Sequence, residues 1–152
     1  MQLDTSTAKN EEQLINRFLV MCIEVYASSF NLSSKQTYSK LNEAGIIQEL
    51  IDDYEDMHGM SSYCINEYIA KRLGSNLEII VDIKNHTTSK IILISQTIEL
   101  IANKYKLSIE EARDRFYKSK VIELLDDDET GLYGESALYL LSLFDEQSKQ
   151  RI

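Results

Sequence analysis

A shift of 75 positions lays the chain on itself without a gap. Phe30-Asn31-Leu32-Ser33 falls on Tyr105-Lys106-Leu107-Ser108, and Leu50-Ile51-Asp52-Asp53 falls on Leu125-Asp126-Asp127-Asp128. Ile23-Glu24 meets Ile98-Glu99, Ala27 meets Ala102, and Gly59 and Ser61 meet Gly134 and Ser136. Between residues 17 and 69 eleven positions are identical, and similar pairs keep the apolar pattern: Phe18 with Leu93, Leu41 with Phe116, Ile46 with Val121. Self-similarity at a fixed period is the mark of one small unit used twice. A unit of about 60 residues buries only about 60% of its unfolded surface, so each is expected to need the other. The expectation is therefore one compact all-α body of two tandem pseudo-repeats of about four helices each. The repeats run over 11–73 and 90–148, joined by a connector over 74–89.

Helices are favoured because the sequence has few breaks. Proline is absent, and the five glycines (Gly45, Gly59, Gly74, Gly131, Gly134) sit where helices should end. Residues 1–10 are polar and read as frayed, with Asn10 as the first cap. From Glu11 to Phe30, Leu14, Phe18, Met21, Cys22 and Val25 form a stripe flanked by Ile15, Leu19, Ile23 and Tyr26, which predicts a helix buried on most sides. Lys90 to Tyr105 is its counterpart. The second helix of each repeat opens on a capping box, Ser33-Ser34-Lys35-Gln36 and Ser108-Ile109-Glu110-Glu111. In both, the serine oxygen can accept a backbone N–H three residues on. Third helices are expected over Ile46 to about Asp56 and Val121 to about Asp128, and fourth helices over Ser61–Arg72 and Ser136–Gln147. Within the connector, Leu77 to Ile83 is β-branched enough for a short strand or an extended linker.

Charge narrows the functions. The net charge is −9, with −5 in residues 1–75 and −4 in the remainder. The densest basic spots are the pairs Lys104/Lys106 and Lys118/Lys120, too sparse for the basic face that nucleic-acid binding requires. No direct nucleic-acid partner is expected, whereas a basic protein partner is compatible with the charge. No apolar run reaches the roughly 18 residues that span a bilayer, and the first residues lack a secretory pattern, so a cytoplasmic location is expected. Cys22 and Cys64 both read as small buried hydrophobes of a reducing compartment, with a disulfide or redox pair as the alternative.

Acidic residues mark the candidate site. Asp52, Asp53, Glu55 and Asp56 close the third helix of the first repeat, and Asp126, Asp127, Asp128 and Glu129 close that of the second. The run Asp126 to Gly131 begins like a calcium loop, but the twelfth position, which should be a bidentate glutamate, is Ala137. Four carboxylates at a helix C-terminus oppose the macrodipole and one another. A solvated loop or a basic partner surface would relieve that. His58 lies beside the first cluster, and Tyr133 holds its place in the second repeat, so the shared property is an aromatic ring with hydrogen-bonding capacity rather than acid–base chemistry. Both read as packing at the turn before the fourth helix. Nine tyrosines, among them Tyr38, Tyr54, Tyr63, Tyr68, Tyr117, Tyr133 and Tyr139, either rim the core or serve an interface. No phosphate-binding glycine loop, nucleophile elbow or paired Cys/His metal spacing is present, and neither cofactor nor metal is expected.

Phe18-Leu19-Val20-Met21-Cys22-Ile23-Glu24, then Asn31-Leu32-Ser33, Gly45-Ile46, Asp53-Tyr54 through Met57-His58, and Tyr63, Ile65 and Tyr68 resemble a small uncharacterised bacterial all-helical domain family. Met57 stands where that family usually has leucine. Tyr105-Lys106-Leu107-Ser108, Phe116-Tyr117 and Glu129-Thr130-Gly131-Leu132-Tyr133 look like a divergent sister pattern, with tyrosine in the histidine place. Genes for such domains often stand beside genes resembling ADP-ribosyltransferase toxins. The resemblance therefore implies the neutralising member of a toxin–antitoxin or defence pair and assigns no functional residue.

The leading expectation is a non-enzymatic antitoxin that occludes a toxin with a basic groove. Its expected contact surface is Asp52, Asp53, Tyr54, Glu55, Asp56 and His58 together with Asp126, Asp127, Asp128, Glu129 and Tyr133. The alternatives are a metal-binding or enzymatic protein built on the same carboxylates and His58, and a structural adaptor for another protein.

Overall fold

The computed structural model describes residues 5–74 and 86–149. Among them the chain is all α, with helices α1 (Thr5–Ser29), α2 (Ser34–Glu43), α3 (Ile46–Asp52), a single turn α4 (Tyr54–Met57) and α5 (Ser62–Arg72). After the connector come α6 (Thr87–Tyr105), α7 (Ile109–Tyr117), α8 (Lys120–Asp126), two 3-10 turns (Asp128–Thr130 and Leu132–Gly134) and α9 (Ala137–Lys149). The segment expected as a strand or linker over 77–83 lies outside the described residues.

Local chemistry explains the boundaries. Asn31 and Lys106, 75 positions apart, both take the left-handed conformation (φ 55° and 54°) that ends a helix. Just beyond them, the Leu32 N–H donates back to Ala27 O (2.8 Å) and the Leu107 N–H to Ala102 O (3.0 Å). Ser33 Oγ then accepts the Gln36 N–H and Ser108 Oγ the Glu111 N–H, each at 3.1 Å, as the capping boxes predict. Ser61 and Ser136 cap the last helices in the same way, accepting from Cys64 (3.2 Å) and Tyr139 (3.1 Å).

Several expected boundaries shift. Helix α1 starts at Thr5, ahead of the expected Asn10 cap, because nothing between Thr5 and Asn10 is a helix breaker. Helix α6 starts at Thr87 rather than Lys90. The third helices are shorter than expected: α3 ends at Asp52 and α8 at Asp126, each followed by a separate turn. Glu55 and Asp56 therefore stand in the first turn of α4, and Asp128 and Glu129 in that of a 3-10 turn. Of these, only the 3-10 turn has a carboxylate cap, the Asp127 side chain accepting the Glu129 N–H (3.1 Å), whereas no side chain caps α4, and Asp52 and Asp126 remain the last residues of α3 and α8.

One apolar core runs through both halves, and α1 against α6 is its most extensive packing. Leu19, Ile23, Ile94, Ile98 and Ile101 are fully buried there, and Leu41, Ile46, Leu50, Phe116, Val121 and Leu125 close it from the shorter helices. Burying one such aliphatic side chain is worth about 1.5–3 kcal/mol. The buried face of α1 centres on Leu19, Ile23 and Tyr26, which leaves Leu14, expected in the stripe, 51% exposed. Cys64 also departs from expectation. It is exposed, because α5 buries Ile65, Asn66, Ile69 and Ala70 instead. Cys22 is buried as expected, and burial pushes its thiol up to about 12.

Candidate functional site

The expected surface divides when its residues are placed. In the first half it is open: Asp52, Asp53, Glu55, Asp56 and His58 are exposed around the α3–α4 break. Asp52 accepts from Gln48 Nε2 (2.9 Å) one helical turn back. No lysine or arginine among the described residues forms an ion pair with any of the four carboxylates. Tyr54 is half-buried, edge-on to Phe18 (5.3 Å between ring centroids) and stacked on His58 (4.6 Å). His58 Nδ1 lies 2.8 Å from Tyr54 O and donates to that carbonyl as Nδ1–H. The histidine thus packs and caps its turn, with that nitrogen unavailable as a base or a metal ligand.

In the second half the acids are mostly spoken for. Asp126 turns inward: its Oδ2 accepts the Ser34 N–H (2.8 Å) and its Oδ1 lies 2.7 Å from Ser34 Oγ. Asp127 caps the 3-10 turn, accepting from Glu129 N (3.1 Å). Asp128 pairs with Lys90 at 2.9 Å, and the Lys90 side chain is only 13% exposed. Glu129 is exposed, and Tyr133 is half-buried under His86, with ring centroids 3.7 Å apart. Asp126 and Asp128 therefore make bonds to a junction within the protein, Asp128 from a side chain that stays 55% exposed, while Asp127 and Glu129 lie on the surface. Among the described residues no three His, Cys, Asp or Glu side chains converge as metal ligands.

That junction contains the residues that sequence reasoning missed. Glu24 on α1 is 4% exposed. Its Oε1 lies 2.6 Å from Ser34 Oγ, and its Oε2 accepts the Tyr117 hydroxyl at 3.0 Å. Burial, and then the charge of Asp126, pushes the Glu24 carboxyl up to about 7, against the opposing hydrogen bonds from Ser34 and Tyr117 and the charge of Lys90. Tyr117 is fully buried and stacked on Tyr38 (4.8 Å, 9° between planes). Burial foremost, and then Glu24, raise the Tyr117 hydroxyl well above its ordinary range. Glu24, Ser34, Lys90, Asp126 and Asp128 line a cleft of about 290 Å³. A signal for Glu24 was present: a lone carboxylate inside the apolar run Phe18 to Val25 must find partners or stay protonated.

Other polar contacts cross between the halves nearby. Arg113, buried on α7, donates from Nε to Asn16 Oδ1 (3.1 Å), and desolvation lowers its pKa. The Tyr38 hydroxyl donates to Asp114 (2.8 Å), and Arg17 pairs with Glu99 (3.3 Å).

Among the described residues no helix is long and apolar enough to cross a membrane. No curated protein and no solved structure matches the chain. Residues 17–72, from early α1 to the end of α5, match the family described as "Protein of unknown function (DUF3791)", so the first half of the chain is similar to an uncharacterised domain.

Proposed function

We propose that this chain is a non-enzymatic protein-interaction module of the cytoplasm, an antitoxin that binds and neutralises a cognate toxin resembling ADP-ribosyltransferases. The observation that carries the reading is the open acidic rim of the first half. Asp52, Asp53, Glu55 and Asp56 are exposed within one short segment and none has a cationic partner among the described residues. A basic groove on a partner would supply the missing charge, speed encounter and set specificity. Tyr54 and His58, stacked beside the rim, add an aromatic surface of the kind that interfaces favour. Asp127 and Glu129 extend the same chemistry in the second half.

The antitoxin part of the reading rests on the resemblance of the motif residues to domains encoded beside toxin genes. In the same reading the two halves are tandem copies of one unit, which their matched caps and left-handed helix ends support.

The test is an affinity pull-down of tagged protein from its native cells, with D52A/D53A/E55A/D56A and D127A/E129A variants alongside. A stoichiometric transferase-like partner with a basic groove, held by the wild type and lost by the first variant, is the expected result. Retention of the partner by both variants would remove this surface. Recovery of the wild-type chain alone, at normal expression, would overturn the antitoxin reading.

A further inference from the structure

The cleft at the junction presents a problem of proton count. Ser34 Oγ lies 2.6 Å from a Glu24 oxygen and 2.7 Å from an Asp126 oxygen, yet a hydroxyl has one hydrogen to give. With both carboxyls ionised, one short contact would set oxygen lone pairs against each other in a buried place. A single added proton resolves it. Asp126 is satisfied as an anion, since it accepts both the N–H and the hydroxyl of Ser34. Glu24, the more buried of the two, then carries the proton and donates it to Ser34 Oγ while accepting from Tyr117. The resulting chain of donors runs Tyr117 to Glu24 to Ser34 to Asp126, from α7 through α1 and α2 to α8.

We infer that Glu24, Ser34 and Asp126 form a proton-gated latch, which holds the start of α2 to the end of α8 and releases it when the shared proton leaves. The groups that face Glu24 bear this out. From α2 comes Ser34, from α7 the neutral Tyr117 hydroxyl, from α8 the anionic Asp126, and from α6 the cation Lys90, which is engaged with Asp128. Arg113 on α7 lies beyond, near Tyr117. Loss of the proton would place a second anion beside Asp126.

The same local backbone closure also forms without such a cluster. At the positions 75 residues away, Glu99 pairs with Arg17 instead, Ile109 stands in the place of Ser34, Ile51 in that of Asp126 and Asn42 in that of Tyr117. The neighbouring backbone nevertheless closes in the same manner there. Burial, and then the charge of Asp126, push the Glu24 carboxyl up to about 7, which sets where the latch is expected to release as pH rises.

The test uses the full chain and needs no variant to begin. Carbon-detected NMR follows the Glu24 carboxyl, and hydrogen exchange follows the Ser34 amide, from about pH 5 to about pH 8.5. The carboxyl is expected to titrate near neutrality. Protection of the Ser34 amide is expected to fall by up to about tenfold per pH unit towards that midpoint and then to level off. Glu24→Gln, whose amide can donate permanently to Ser34, should keep the protection constant. A Glu24 titration in the ordinary carboxylate range would overturn the latch. So would a Ser34 amide indifferent to pH, or a Glu24→Gln variant with the wild-type pH dependence.

Discussion

The cleft between α1 and the start of α2 has a counterpart 75 residues on, beside α6 and the start of α7. Glu24, Ala27, Leu32 and Ser33 line the first, and Glu99, Ala102, Leu107 and Ser108 line the second, at about 290 and 340 Å³. The frame is shared down to the serine caps and the left-handed residues before them. The chemistry is not. Glu24 is buried and pushed up to about 7, whereas the Glu99 side chain, 14% exposed, pairs with Arg17, itself half exposed. The same residue at the same place in two matched frames therefore takes two roles, decided by what the neighbouring helices supply. Helix ends are fixed by local sequence, while the state of a buried carboxyl is fixed by partners far along the chain.

If the halves are equivalent where the frame is concerned, equivalent core cuts should cost alike. Leu50 and Leu125 are both fully buried. Leu50→Ala and Leu125→Ala should each cost about 2–5 kcal/mol in urea unfolding, within one cooperative transition. Two separate transitions would break the shared core. The next effect is smaller and one-sided. Asp126→Ala strips both acceptors from Ser34 and should cost about 2 kcal/mol, while Ile51→Ala, its counterpart, should cost about 1 kcal/mol. Equal losses would deny the junction its special place.

A third comparison concerns the outer face. In the first half Glu49 bonds Arg72 and Tyr68, whereas Leu124 holds the matching position in the second half and is 42% exposed. The Arg72 hydrogen bond, then that of Tyr68, holds the Glu49 carboxyl down at about 2. Its contribution is thus present above the ordinary glutamate range and lost as pH falls through about 2. Glu49→Gln should therefore differ from the wild type near neutrality and converge with it in strong acid, as read by melting temperature against pH. The smallest effect belongs to the open rim. D52A/D53A/E55A/D56A should change stability by no more than about 0.5 kcal/mol, because those carboxylates form no ion pair whose loss would destabilise the fold. A large loss there would mean the rim serves the fold rather than a partner.

The all-α class, the serine caps of the two capping boxes and most of the core were legible because their signals are local. Periodicity over one helix names its buried face, and a capping serine needs only the residue three places on. The junction was less legible because its bonds join residues as far apart as Ser34 and Asp126. Asp126 sat in a run of four acids and read as solvent-facing. The 75-residue register did hold a warning, since it sets Asp126 opposite the apolar, half-buried Ile51. Cys64 and Leu14 were misread for another reason. Both occupy the outer edge of a helix whose stripe, read from apolar identity alone, looked wider than the face that packs.

The most direct measurement is equilibrium unfolding of the wild type, Glu24→Gln and Glu99→Gln across pH. The folded Glu24 pKa of about 7 stands above its ordinary 4.5, so the folded chain keeps a proton that the unfolded chain gives up. Its favourable contribution is complete below the lower value and is lost as pH rises through the upper one, a fall of about 3 kcal/mol. Wild type and Glu99→Gln should show that fall, and Glu24→Gln should not. A pH profile unchanged by Glu24→Gln, or flattened equally by Glu99→Gln, would contradict the view that two matched frames hold one proton-sharing site.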